Sequence, residues 1–119
     1  MSVYKMSEII EIKHKKENDE NIYELFIDGK LASTARILAY SKLLNICSKE
    51  KRKGFGTRLL QHIEEIAKQN SISEMTTSDI DSRDIPAVNF FKKMGYTLYP
   101  LSGDEEFLEG HKKLQLNAH

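Results

Sequence analysis

Through the first half of the chain, apolar residues tend to fall at every second position, the period of a strand with one buried face. Ile9, Ile10 and Ile12, followed by His14, open such a segment, and the polar cluster Glu17-Asn18-Asp19-Glu20-Asn21 reads as a hairpin loop after it. Ile22 to Ile27 and Leu31 to Leu38 flank Asp28-Gly29, a dipeptide suited to the positive φ angles of a two-residue hairpin turn. Tyr40-Ser41-Lys42 turns the chain again into Leu43 to Ser48, where Leu44 and Ile46 alternate with Asn45 and Cys47. The pattern predicts an antiparallel meander of four strands.

The period then changes. Leu59, Leu60, Ile63, Ile66 and Ala67 form the stripe of a one-sided helix, with Glu64 and Lys68 placed to pair outside it. Asn70-Ser71 ends that helix, and Ile72 to Ser78 returns as a strand. Asp84 stands as an N-cap, Pro86 suits the first turn, Ala87, Phe90, Phe91 and Met94 mark one helical face, and Gly95 terminates it. Tyr96 to Tyr99 is a short strand. After the loop Ser102-Gly103-Asp104, a last strand includes Lys113-Leu114-Gln115-Leu116. Antiparallel strands followed by a strand, helix, strand crossover predict a mixed α/β (α+β) fold.

Composition narrows the classes. A chain of 119 residues is one domain's worth, spanning 1–119, and 39% hydrophobic residues with 30% charged suit a globular core. Eighteen Lys and Arg balance eighteen Asp and Glu, so no global field favours nucleic acid or an anionic membrane. Cys47 is the lone cysteine, which excludes an internal disulfide and fits a reducing compartment. No apolar run approaches the ~20 residues of a membrane span, and the first residues lack the apolar core of a signal peptide. The expected location is the cytoplasm. His14, His62, His111 and His119 show no ligand spacing, so no metal is expected.

Between the fourth predicted strand and the first predicted helix lies Lys51-Arg52-Lys53-Gly54-Phe55-Gly56. Glycines let successive N–H groups point into one concavity, the helix start adds unpaired donors and roughly half a positive charge, and the three cations surround it. A diphosphate fits such a place, although a basic turn at a helix start is also ordinary surface capping. The P-loop ending is absent, and Leu59 stands where a dinucleotide fingerprint needs its third glycine.

Lys51 to Gly56 is similar to the Gln/Arg-x-x-Gly-x-Gly/Ala signature of the GNAT (general N-acetyltransferase) superfamily, which opens a helix after a strand. A second block, Asp84 to Tyr96, resembles the family's Asn-x-x-Ala-x-x-Phe-Tyr-x-Lys-x-Gly-Phe pattern. The resemblance implies a GNAT-like fold: a twisted, mixed, mostly antiparallel sheet with two principal helices. The short N-terminal region leaves no room for the family's usual first helix pair. The strand ending near Ser48 is expected to splay from the one ending near Ser78, with acetyl-coenzyme A as cosubstrate in the gap.

By the same resemblance, backbone groups of Ile46 and Ser48 would bond the pantetheine arm, with Lys51 heading the signature. Backbone N–H groups of Arg52, Lys53, Gly54, Phe55, Gly56 and Thr57 would hold the pyrophosphate. Asp84 stands at a coenzyme-contacting Asn, and Phe90 and Phe91 would line the pantetheine side. Three departures stand out. Lys51 loses the fork geometry of Arg, Asp84 replaces an amide with a carboxylate that also suits a helix cap, and Phe91 replaces the Tyr that protonates the leaving thiolate.

The implied activity is transfer of an acetyl group to an amine by direct attack in a ternary complex, which needs a base for the ammonium proton. Asp79 is the candidate, with Asp81 beside it and a solvated loop carboxylate as the plain alternative for both. His14 and Tyr40 are further candidates, with strand-surface and turn roles as their alternatives. Cys47 reads as a small buried apolar residue, and Phe90-Phe91 reads equally as core. The acceptor is a small-molecule, protein or peptide amine on an open surface, or one completed by a second subunit. A homodimer through an exposed C-terminal strand is one expectation. Two rivals remain: a non-catalytic coenzyme A-binding module, and a nucleic-acid domain using Lys49 to Lys53, which the neutral composition opposes.

Overall fold

In the computed structural model, which describes residues 9–49, 54–101 and 104–115, the alternating half of the chain forms β1 (Ile10–Glu17), β2 (Glu20–Ile27), β3 (Lys30–Leu38) and β4 (Lys42–Ser48). All three successive pairs are antiparallel, as the meander requires. Asp28 and Gly29 take φ of 51° and 81°, the paired positive values that let a two-residue turn follow the strand twist. The first hairpin is tighter than its polar cluster predicts. Its turn is Asn18-Asp19 alone, with Asn18 at φ 55°, and Asn21 is buried in β2. There the Asn21 Nδ2 donates to Ala39 O at 2.6 Å, so an amide that looked like loop chemistry fastens the next turn. That turn is Ala39–Ser41, and Lys42 already belongs to β4.

Helix α1 (Phe55–Gln69) begins four residues before its apolar stripe and stops at Asn70, whose Nδ2 donates to Ile66 O at 2.9 Å. Strand β5 (Glu74–Asp81) runs further than expected and takes in Asp79 and Asp81. Helix α2 (Ile85–Lys93) starts as its residues dictate: the Asp84 Oδ1 accepts from Ala87 N at 3.2 Å, and Pro86 sits in the first turn. Then come β6 (Thr97–Leu101) and β7 (Asp104–Lys113). The last strand lies earlier than Lys113 to Leu116. Leu114 and Gln115 follow it, while Leu116 and the predicted loop residues Ser102 and Gly103 lie outside the described residues. Periodicity misplaced it because β7 is flanked on both sides by strands, and Gly110 interrupts its apolar signal where a Cβ would come within 3.0 Å of Leu98 and Thr77.

The sheet has seven strands in the order β1-β2-β3-β4-β5-β7-β6, antiparallel except for β4 beside β5. Both helices pack on one face. Tyr23, Leu25, Ala35, Ile37, Leu43 and Met75 from the sheet join Leu59, Leu60, Ile63 and Ala67 of α1 and Val88 and Phe91 of α2 in one buried cluster. Glu64 belongs to this interior rather than to an outer pair with Lys68. It is 6% exposed, accepts from the Tyr96 hydroxyl at 2.8 Å and pairs with Lys112 Nζ at 2.8 Å, while Lys68 reaches Glu65 at 3.7 Å. Glu64 follows Leu60 by one helical turn and precedes Ala67 by three residues, so the covered face of α1 includes it. Of the described residues, no helix is long and apolar enough to cross a membrane.

Candidate functional site

The two halves of the sheet meet along a very short seam. Strands β4 and β5 pair only at Lys42↔Thr76 and Leu43↔Thr77. Beyond those pairs β4 stays with β3 as far as Ser33↔Ser48, while β5 stays with β7 as far as Asp81↔Phe107, so a gap opens between them. The Lys49 N–H bonds Ala32 O at 2.9 Å. Antiparallel strands point successive residues' main-chain groups to opposite sides, so those of Ser48 and Ile46 face the gap.

Helix α1 starts at the mouth of that gap. Gly54 takes φ 76°, a left-handed value that disfavours side chains, and supplies no side-chain cap. The helical ladder begins with Arg58 N to Gly54 O at 3.0 Å, which leaves the N–H groups of Phe55, Gly56 and Thr57 without an intrahelical acceptor. No acidic side chain occupies the first turn. Gly56 lies against the gap's inner wall: a Cβ there would stand 3.2 Å from Ser48 Oγ and 3.6 Å from the Phe90 ring. One wall is therefore built from β4, α1 and α2 together. Ser33 fixes its β4 side, since its hydroxyl donates to Cys47 O at 2.9 Å and lies 3.1 Å from Ser48 Oγ. Hydrophobic periodicity gives no sign of this serine pair. The chance to find it lay in Ser33 itself, a small polar residue inside a strand pattern.

The predicted residues separate into groups. Ile46, Ser48, Gly54, Phe55, Gly56, Thr57 and Phe90 are brought together around the gap, whereas Lys51, Arg52 and Lys53 lie outside the described residues. Phe91 is 7% exposed and packs edge-on between Phe90 and Tyr96, with ring centroids at 5.1 and 5.5 Å. Asp84 serves as the α2 cap. The nearby Tyr96 hydroxyl is committed to Glu64, and burial, then the Glu64 charge, push its ionisation far above the usual tyrosine range.

Asp79 is an exposed strand residue rather than a loop carboxylate after the strand. The β5–β7 register jumps between Thr77↔Gly110 and Ile80↔Leu108, so Ser78 and Asp79 together oppose Glu109, a bulge in which Asp79 adopts φ 62°. Bulges of this kind re-aim side chains, and this one lies just beyond the seam. The Ser78 hydroxyl is 3.5 Å from Asp79 Oδ2. Asp81 is the last residue of β5, and the Arg83 side chain, then its main-chain N–H, hold its carboxyl below the usual carboxylate range.

His14 and Tyr40 are not gathered here. His14 bonds Asn21 at 2.7 Å and stacks on Tyr23, while Tyr40 sits in the turn at the start of β4, about 20 Å from Ser48 at the rise of a strand. Cys47 is exposed, not buried, because Ile46 takes the core-facing position beside it. Among the described residues, no group of His, Cys, Asp or Glu is arranged to hold a metal.

A splayed sheet beside an uncapped helix start is the architecture of the N-acetyltransferases. The sequence profile of the acetyltransferase (GNAT) family matches residues 3–96, and the chain belongs to that family. Comparison with curated protein sequences finds no match. Among solved structures, the PaiA N-acetyltransferase of Thermoplasma acidophilum, crystallised with coenzyme A, superposes with a TM-score of 0.72 at 23% identity over 81% of this chain, which spans only 62% of that one. A Bacillus subtilis acetyltransferase, also in complex with coenzyme A, gives 0.73 at 15% identity over 92% of this chain and 100% of its own. The ribosomal-protein-S18-alanine N-acetyltransferase of Escherichia coli gives 0.69 at 17% identity over 87% and 74%.

Proposed function

We propose that the chain is an N-acetyltransferase that moves the acetyl group of acetyl-coenzyme A to an amine by direct attack in a ternary complex. The observation that carries this is the gap beyond Leu43↔Thr77, with main-chain groups of β4 turned toward it and, at the start of α1, three N–H donors that have no intrahelical acceptor. The pantetheine arm would extend β4 through Ile46 and Ser48. The diphosphate would lie over residues 54–57, with Lys51, Arg52 and Lys53 beside it. Gly56 suits such an occupant, because a side chain there would project toward Ser48 and Phe90 where the arm must pass. Two coenzyme A complexes among the similar folds support the same donor.

In this reading the Ile46 N–H polarises the thioester carbonyl, and a neutral amine attacks it. The ammonium form must first lose a proton, and Asp79, aimed by its bulge, would accept it directly or through water. The carbon–sulfur bond then breaks and the departing thiolate takes a proton from solvent, since Phe91 has no hydroxyl and the Tyr96 hydroxyl is held by Glu64. The acceptor would approach the uncovered sheet face, because β1 and β2 are joined by a two-residue turn where the family usually has a helix pair. That openness suits a protein or peptide amine, or a site finished by a second copy, better than an enclosed small-molecule pocket.

Sustained coenzyme A release with a panel of amines, above spontaneous hydrolysis, is the expected result. Asp79→Asn should lower that turnover by about 10²- to 10⁴-fold, the usual contribution of a general base, while leaving the thermal stabilisation by acetyl-coenzyme A intact. The same missing hydroxyl supports a second reading, a non-catalytic coenzyme A-binding module. It predicts the thermal shift with no turnover on any amine. Absence of a shift at millimolar acetyl-coenzyme A would sink both.

A further inference from the structure

On the uncovered face, away from the gap, a shallow groove runs over β5, β7 and β6 between Glu74, Thr97, Tyr99, Glu109, His111 and Lys113. His111 is its centre. Its Nδ1 lies 2.9 Å from Glu74 Oε1 on β5, its Nε2 lies 3.6 Å from Glu109 Oε1 on β7, and the Tyr99 ring of β6 meets its edge at 5.8 Å. Glu109 is also the residue that faces the two-residue bulge of Ser78 and Asp79. One imidazole thus touches the carboxylate next to the bulge and a second carboxylate on the bulged strand itself.

We propose that His111 is a proton-operated clasp that ties Glu109 to β5 and so steadies the bulge presenting Asp79. Only the imidazolium carries a proton on both ring nitrogens, so that Nδ1 hydrogen-bonds Glu74 while Nε2 attracts Glu109 as an ion pair. Neutral imidazole keeps one N–H. If that proton stays on Nδ1 toward Glu74, the Nε2 lone pair faces the Glu109 carboxylate and the second tie is lost. Other charged groups near the ring are Lys113, opposite Glu74, and Lys42 of β4, opposite Thr76 of β5; Lys112 turns away to Glu64. Among the described residues no helix packs on this face. The hydrogen bond to Glu74 is the main reason that the imidazole holds its proton above the ordinary histidine value, with Glu109 adding to it. The clasp is therefore closed at and below about 6.5, the unperturbed value, and opens as the pH rises through the higher one.

The inference goes beyond the acetyltransferase reading and does not depend on it, so its test needs no substrate. Amide hydrogen exchange of the full chain, corrected for intrinsic rate, would be followed across pH beside an NMR titration of His111. Exchange at Ser78, Asp79 and Ile80 should quicken about two- to fivefold as His111 loses its proton, the range an exposed ion pair allows. That dependence should vanish in His111→Gln and in Glu109→Gln. In Glu74→Gln it should persist at a lower pH. An unchanged dependence in either of the first two variants, or none in the unmodified chain, would overturn the proposal. Because Glu109→Gln keeps His111, it serves as the test even where His111→Gln fails to fold.

Discussion

The two faces of this sheet solve the same problem by opposite means. Under α1 and α2, apolar side chains interlock and a carboxylate enclosed there, Glu64, is satisfied by Tyr96 and Lys112. On the other face no helix arrives among the described residues, and the strands cover themselves with long charged side chains: Lys13 over the Phe26 ring at 4.9 Å, Lys15 near Glu24 at 4.0 Å, and Arg36 on Glu20 at 3.0 Å. Ile22 points to this face yet is 2% exposed, because its strand neighbours Lys15 and Arg36 cover it with their aliphatic stems. Deleting a helix pair thus need not leave a sticky surface. It leaves an open face lined by charged side chains.

The comparison is sharpest where a charge is removed from each face. Glu64→Ala strands the buried Tyr96 hydroxyl and removes the partner of the half-buried Lys112 ammonium, and should cost about 3 kcal/mol, read from urea unfolding midpoints, the low end for breaking a buried pair. If it costs no more than an outer-face substitution, the enclosed network is not what holds α1 to β7. Next in size is Gly56→Val. With ligand at 100 times its dissociation constant, the unmodified chain should gain about 2.7 kcal/mol from acetyl-coenzyme A. The variant should lose most of that gain, a loss separate from any lowering of the unliganded melting point by crowding against Ser48 and Phe90, measured by thermal melts with and without ligand.

Acidity separates the faces as well. The raised His111 value means its stabilising contribution is complete below about pH 6.5 and fades as pH rises through the folded value. Tyr96 is also raised, so the covered face keeps its contribution up to about pH 10 and loses it only in stronger alkali. Stability of the unmodified chain minus that of His111→Gln, followed by urea unfolding from pH 5 to 9, should therefore decline across the range, while the deficit of Tyr96→Phe should stay level. The smallest effect belongs to the outer pairs. Arg36→Ala and Lys13→Ala should each shift stability by less than about 1 kcal/mol, and less again in high salt.

How much of this was written in the sequence follows the same division. The four-strand meander was legible because one-sided strands alternate and Asp28-Gly29 fits its turn. The Asp84 cap and the glycine turn that opens α1 at Gly54 were legible because glycine and capping residues are demanded by backbone geometry. Three features stayed hidden for a common reason: each depends on which strand or helix lies opposite. Glu64 looks like a surface residue until Lys112 and Tyr96 are placed beside it. Cys47 looks buried until its strand phase assigns the interior to Ile46. The bulge at Asp79 exists only relative to β7, and nothing within the local sequence Thr77-Ser78-Asp79-Ile80 announces an extra residue in the pairing.

The seam between β4 and β5 has a mechanical meaning. Among the described residues β4 and β5 pair at two positions only, a geometry of two plates joined by a narrow hinge. Helix α1 is the stiff brace, packed on β2, β3 and β4 and fastened through Glu64 to Lys112 on β7. A load applied across the gap should strain the hinge pairs first and leave each plate intact. The width of the opening would then be set by how firmly one fifteen-residue helix holds both plates.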